Sequence, residues 1–70
     1  MIVEGKVEKS GMTGFRLKTE LETIPMTTGN MVMFFTLKEL AKTGQKVKIE
    51  GVWETVMFKR QFVPVRLYGS

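Results

Sequence analysis

Residues 31–44 decide how this chain folds. They read MVMFFTLKELAKTG and stand between two groups of alternating segments. The run from Met31 to Thr36 is apolar at every position except the last, which predicts a strand with a second apolar face that is exposed or covered by another element. Thr36 and Glu39 have the spacing of a helix capping box, and Gly44 stands where glycine often ends a helix. The sequence therefore predicts a third strand over residues 31–36 and a short helix over residues 37–43.

Two alternating segments precede this stretch. From Ile2 to Lys9, small or apolar residues alternate with charged ones, which is typical of a half-buried strand. The segment from Phe15 to Glu22 alternates in the same way, and two glycines within residues 10–14 favour a turn between the two segments. The sequence predicts a hairpin of the first two strands. Residues 24–30, which include a proline, are predicted to form the connection to the third strand.

Two further strands are predicted after the helix. Lys46 to Trp53 alternates, and Gly51 within it indicates a bend or bulge. After a loop near residues 54–60, Phe62 to Tyr68 forms the last strand, with Val63, Val65 and Leu67 predicted to point inward. Pro64 favours an edge or an irregular pairing there. The order of elements predicts an all-β protein, a five-stranded Greek-key barrel with one short helix between strands 3 and 4.

The composition limits both size and chemistry. Seventy residues hold one core, so residues 1–70 are predicted to be a single domain. The chain has no cysteine for disulfides, which leaves packing or self-association into a homo-oligomer to stabilise it. It also lacks histidine and aspartate, and the pair Glu20 and Glu22 fits a solvated strand face. We therefore expect a protein that is not an enzyme and needs no metal or cofactor.

The positive charge is concentrated in one half of the chain. Residues 1–37 are balanced, whereas residues 38–70 carry the whole net charge of +4, which favours a polyanionic partner. Neither an export signal nor an apolar run long enough to span a membrane is visible. We expect a cytoplasmic protein without a membrane partner.

The pattern resembles that of oligonucleotide/oligosaccharide-binding (OB) barrels of the anticodon-binding type, with an SH3-like barrel as the structural alternative. The residues that carry the resemblance are Gly5-x-Val7, Gly14-Phe15-x-Leu17, Val32-x-Phe34, and Leu40 followed by Gly44-x-x-Val47-x-Ile49-x-Gly51. The resemblance implies a nucleic-acid ligand lying across strands 2 and 3. The loop between strands 1 and 2 and the loop between strands 4 and 5 would bound that ligand.

Cations and aromatic residues are interleaved at those places. Phe58, Lys59 and Arg60 in the last loop are the leading candidates to bind single-stranded DNA or RNA, because rings stack on bases while cations contact phosphates. Strand 2 adds Arg16 and Lys18. The remaining candidates are aromatic or basic residues that also fit core or surface positions: Phe34, Trp53, Phe62, Arg66 and Tyr68.

Two other functions fit the same sequence. The apolar surface predicted for strand 3 could bind a protein partner or a second copy of the chain, which is the main alternative. Met31 and Met33, placed on one face of that strand, resemble the paired methionines of small copper-carrier barrels, although the histidine of that pattern is missing. Methionine fills cores more often than it binds Cu(I), so the copper interpretation ranks last.

Overall fold

The computed structural model describes residues 1–12 and 14–68. These residues form five strands and one helix: β1 (Ile2–Ser10), β2 (Gly14–Lys18), β3 (Thr23–Met26), α1 (Met31–Thr43), β4 (Lys46–Val56) and β5 (Lys59–Tyr68). The strands close into a barrel in the order β1-β2-β3-β5-β4, with β4 returning to pair with β1. The predicted fold class, a five-stranded barrel with one helix between the third and fourth strands, is confirmed.

The barrel interior follows the alternation of the strands. Its buried apolar side chains come from all five strands and the helix: Val7, Phe15, Leu17, Ile24, Met26, Leu37, Val47, Ile49 and Phe62. Among the described residues, none of the buried side chains is polar or charged. Burial of apolar surface, worth roughly 25 cal/mol per Å², therefore stabilises this core without hydrogen-bonded side chains.

The helix begins six residues earlier than predicted, and residues 31–36 are not a strand. Asn30 is the N-cap, with its side-chain Oδ1 accepting a hydrogen bond from the backbone N–H of Met33 at 3.0 Å. The predicted capping box at Thr36 and Glu39 lies inside the helix. Leu37 is buried, and the half-buried residues pack beside it at helical spacing: Met33, Phe34, Leu40 and Ala41. The predicted end is confirmed, since Gly44 is the C-cap with a φ of 69°.

The third strand lies in the segment predicted to be a connection. Ile24 and Met26 are buried, whereas Pro25 points outward opposite Arg16 of β2. On its other side β3 pairs with β5 only through Met26 and Phe62, in parallel. Most of that side of β3 is therefore an edge, where a proline is tolerated because no ladder hydrogen bond depends on its missing N–H.

The second strand is shorter than predicted. Its ladder ends at Lys18, and the Thr19 hydroxyl then accepts hydrogen bonds from the backbone N–H groups of Leu21 (3.2 Å) and Glu22 (3.0 Å). This local turn competes with the ladder. Leu21 is consequently exposed, and Glu20 and Glu22 lie in a loop rather than on a strand face. The turn before β2 is confirmed at Gly11, with a φ of 68°, while Thr13 lies outside the described residues.

The last hairpin is longer and irregular. The register between β4 and β5 shifts at Glu50 and Gly51, which confirms the predicted bulge. Because of this shift, the prediction that Val63 and Val65 point inward is wrong: Phe62 and Pro64 are buried, and Val65 is exposed. Leu67, beyond the bulge, packs against the core as predicted.

Within residues 1–12 and 14–68, the structure contains no helix long and apolar enough to cross a membrane.

Candidate nucleic-acid interface

The tip of the hairpin between β4 and β5 carries the most exposed aromatic ring of the described residues. Met57 and Phe58 form the turn, and these two residues are 84% and 102% exposed. Both residues have a positive φ, 53° for Met57 and 66° for Phe58, in the left-handed region that L residues rarely adopt. Two-residue hairpin turns of this kind normally use Asn-Gly. The backbone of this turn is therefore strained, and both of its apolar side chains lie in solvent.

Two cations follow this tip directly in sequence. Lys59 and Arg60 are exposed and begin β5 directly after Phe58. The Arg60 guanidinium lies over the Trp53 ring, 5.0 Å from its centroid. This cation–π contact limits the orientations that Arg60 can adopt, so that a positive charge is held within two residues of the exposed ring.

Trp53 is an anchor for this arrangement rather than a free stacking surface. Its ring packs edge-on against Phe62, with centroids 5.5 Å apart, and its Nε1–H donates to the Met1 sulfur at 3.3 Å. Arg60 lies against the ring as well. The indole is half-buried, and these three neighbours leave little of it for a ligand.

Two of the predicted aromatic candidates lie elsewhere. Phe62 is fully buried in the core, where it cannot contact a ligand while the barrel is folded. Phe34 is on α1 instead of a strand, and its ring packs edge-on against Phe15 with centroids 5.3 Å apart. The structure thus places Arg60 against Trp53, two residues from the exposed Phe58, whereas Phe62 packs against the inner side of this group without being accessible and Phe34 lies on the helix.

Comparisons with protein-family models, curated proteins and solved structures returned no match to this chain. The candidate interface therefore rests on its own geometry.

The outer surface of the barrel carries a second group of cations. Arg16 and Lys18 point outward from β2 and are exposed, as predicted. Arg16 is 3.8 Å from a carboxylate oxygen of Glu8, a surface contact of small energy. Lys18 lies directly opposite Lys6 of β1, and Lys6 lies directly opposite Lys46 of β4.

Sequence reasoning did not select Lys6, Lys46 or the neighbouring Lys48 as candidates. The alternation of β1 and β4 does place these residues on the outward faces of their strands. The pairing register places Lys6 between Lys18 and Lys46, while Lys48 faces Glu4 and Tyr68. Register depends on which strands pair and where each turn ends, neither of which the alternation specifies. The sequence alone does not show which strands pair, so it did not predict that Lys6 lies beside Lys18.

Arg66 and Tyr68 lie on the same outer surface, at the end of β5. Arg66 is exposed and faces Glu50 across the ladder. The Tyr68 hydroxyl donates a 2.7 Å hydrogen bond to Oε1 of Glu50 and is half-buried. Glu50 thus lowers the net charge here, and the ring of Tyr68 is less accessible than that of Phe58.

The first turns of α1 present a separate, exposed apolar surface. Met31, Val32 and Phe35 are exposed there, and a shallow groove of about 310 Å³ separates Val32 from Val65 of β5. Met31 and Met33 do not share a face: Met31 is exposed, while Met33 packs against the core. The premise of the copper interpretation, two sulfurs side by side on a strand, is therefore wrong.

Proposed function

We propose that this protein binds single-stranded nucleic acid, DNA or RNA, through the hairpin tip formed by Met57, Phe58, Lys59 and Arg60. It does so without cofactor or metal and is not an enzyme. The observation that carries the proposal is the fully exposed ring of Phe58, held on a strained turn next to two cations. Strained backbone persists where the surrounding structure supports it, and it is often linked to ligand binding.

The chemistry of the tip suits a single strand. An exposed ring can stack on any base, which contributes roughly 1–3 kcal/mol per base, and a duplex hides the faces of its bases from such a ring. Lys59 and Arg60 supply the charge that attracts phosphates. Both types of contact are largely insensitive to sequence, so the binding is proposed to be weakly specific or non-specific.

The barrel supports the proposal indirectly. Its helix lies between the third and fourth strands, as in the OB-type domains that the sequence resembles, and the hairpin tip is the loop between strands 4 and 5 where the resemblance places ligand. Most residues that carry the resemblance lie on the expected strands or helix. Val32 and Phe34 do not, because they lie on α1 instead of the third strand.

Trp53 provides a direct test, because it is the single tryptophan of the chain and contacts Arg60. Titration with a single-stranded oligonucleotide should change its fluorescence emission in a saturable way, as Arg60 turns toward phosphate. Binding detected through a labelled oligonucleotide, with no change in tryptophan emission, would place the ligand away from the hairpin tip.

A protein-interaction barrel is the second candidate, and the exposed apolar residues of α1 favour it. Met31, Val32 and Phe35 together with Val65 form an apolar surface of the kind that marks contacts between proteins. The test is sedimentation of the wild type and of Val32→Gln. A concentration-dependent oligomer that the substitution abolishes would favour this candidate, and a monomer at all concentrations would count against self-association.

A further inference from the structure

The first half of β1 is paired on one side only. Residues Ile2 to Lys6 pair with β4, whereas the ladder with β2 begins at Lys6 and includes none of the residues before it. After the end of β2 the chain turns back on itself, with the backbone N–H of Thr19 donating to the carbonyl oxygen of Glu22 at 2.9 Å. Residues 2–5 of β1 therefore form an open edge, which no strand of the described chain covers.

The pairing with β4 determines where the backbone groups of this edge point. Met1 and Gly51 exchange two backbone hydrogen bonds, of 2.9 and 3.2 Å, so the amino and carbonyl groups of Met1 point toward β4. Successive residues of a strand direct their backbone groups to opposite sides. Val3 therefore also faces β4. Ile2 and Glu4 direct two N–H and two C=O groups to the other side, where the described chain has no strand to accept or donate.

These four backbone groups face a groove of about 740 Å³, a volume typical of ligand sites. Residues 1–6 form one wall of the groove, and the loop of residues 19–22 lies on the other. Both walls carry exposed apolar side chains, since Ile2 is 59% and Leu21 93% exposed. Unpaired backbone groups beside apolar side chains are what an extended peptide contacts when it adds a strand to a sheet.

The charges of the groove are mixed and nearly balanced, which disfavours a highly charged ligand. Four glutamates and three lysines line it, and Glu8 and Glu20 each lie within 4.0 Å of a cation. In the part of the chain that the structure describes, Glu4 has no cation so close, and its cross-strand neighbour Lys48 lies on the β4 side. A partner strand on the groove side therefore gains from a cation opposite Glu4.

We propose that this groove binds an extended peptide segment of another protein, which pairs with residues 2–5 of β1 as an added antiparallel strand. Hydrogen bonds to the backbone of Ile2 and Glu4 supply the affinity, and side chains supply the specificity. The segment carries a basic residue opposite Glu4 and, two positions later, a β-branched apolar residue opposite Ile2. The residue between these two lies opposite Val3 and is apolar, because it points to the inner side of the sheet.

This groove is separate from the hairpin tip. Gly51 pairs with Met1 at one end of the groove, and Met57 of the tip lies six residues further along the chain, roughly 20 Å away. The peptide proposal therefore goes beyond the proposed nucleic-acid function and does not depend on it. The double variant K59A/R60A should bind the peptide like the wild type even where it loses an oligonucleotide.

The probe is the capped pentapeptide Thr-Lys-Val-Ile-Thr, titrated into ¹⁵N-labelled protein and followed by NMR. We expect saturable shifts of the amide signals of Ile2, Glu4 and Leu21. N-methylation of the peptide's lysine or isoleucine, whose N–H groups face β1, should weaken binding about tenfold or more. N-methylation of the central valine, whose N–H faces away from β1, is the matched control and should leave the affinity unchanged.

Two variants of the protein separate the backbone from the side chain. Glu4→Pro removes an N–H that faces the groove but none that the ladder with β4 uses, so it should weaken peptide binding about tenfold. Glu4→Gln keeps that N–H and should lose only about two- to threefold. Thermal unfolding without peptide checks that the proline variant is folded; the N-methylated peptides decide the question if it is not.

The absence of saturable shifts, or equal losses from N-methylation of the lysine and of the central valine, would overturn the proposal. Sedimentation without peptide examines the other occupant of such an edge, a second copy of the chain. A concentration-dependent oligomer that Glu4→Pro abolishes would assign residues 2–5 to self-association and would also overturn the proposal.

Discussion

The guanidinium of Arg60 lies 5.0 Å from the centroid of the Trp53 ring, across the ladder that joins β4 to β5. Trp53 is in turn held by Phe62 in the core and by the sulfur of Met1. A cation–π pair of this kind contributes about 0.5–1 kcal/mol at an exposed site. Arg60 is thus connected to the core through one ring, while Phe58 two residues away has no such support. Substitutions at Phe58 and at Arg60 therefore test different roles.

Phe58→Ala is expected to weaken binding of a single-stranded oligonucleotide about tenfold or more, since stacking contributes roughly 1–3 kcal/mol per base. The stability of the barrel should stay the same, because the ring is fully exposed. Fluorescence anisotropy measures the affinity. Phe35→Ala, which removes an exposed ring from α1, is the control and should bind like the wild type; an equal loss in both variants would contradict the role of Phe58.

Replacing the turn residues with the preferred pair, in the double variant M57N/F58G, should raise the free energy of unfolding by about 1–2 kcal/mol. The two φ angles stay positive, but asparagine and glycine adopt them at a lower free-energy cost than methionine and phenylalanine do. Urea unfolding followed by Trp53 fluorescence measures it. The same variant should lose oligonucleotide affinity, so that stability and binding change in opposite directions. Unchanged stability would show that the wild-type turn is not strained.

Asn30→Ala should lower the free energy of unfolding by about 1 kcal/mol, because it removes the side chain that caps α1. Thr36→Ala lies inside the helix, where alanine is the better helix former, and should change stability by less than about 0.5 kcal/mol. Urea unfolding of the two variants distinguishes the two candidate helix starts. A larger effect at Thr36 would support a helix beginning at residue 37.

Gly51→Ala should destabilise the barrel by about 1–3 kcal/mol or more, as over-packing of a core does. A Cβ at Gly51 would lie 2.5 Å from the Val63 carbonyl oxygen and 2.8 Å from two atoms of the Phe62 ring. Gly29→Ala is the matched control, since a Cβ there meets nothing within 4 Å. The control should be neutral or stabilising by up to about 1 kcal/mol. Similar thermal midpoints for the two variants would argue against the close approach at the bulge.

The sequence predicts the positions of four of the five strands, because period-2 alternation is visible in β1, β2, β4 and β5. The end of β2 and the inward face of β5 are predicted wrongly. The prediction also fails over residues 31–36, where an apolar run fits a buried strand and a buried helix equally well. Asn30 is a residue type that commonly caps a helix, so the sequence does indicate a helix start there. The pair Thr36 and Glu39 indicates a second possible start six residues later. Pro25 argues against a strand over residues 23–26, although an edge strand tolerates a proline.

The candidate site was predictable in part. Phe58, Lys59 and Arg60 follow from local sequence, because a hairpin tip exposes its side chains whatever its strands pair with. The burial of Phe62 depends on the register shift at Gly51, and the row of Lys6, Lys18 and Lys46 depends on the pairing of three strands. Both are long-range properties that a one-residue change in register would reverse.

The most direct measurement is fluorescence anisotropy of labelled single-stranded DNA, single-stranded RNA and duplex, titrated with the wild type and with K59A/R60A at low and physiological salt. We predict saturable binding that prefers single strands and persists at physiological salt. The variant should bind more weakly and with a smaller salt slope, by about 0.7 for each phosphate that it no longer neutralises. Binding that disappears with salt, ignores strandedness or is unchanged in the variant would contradict the proposed function of the hairpin tip.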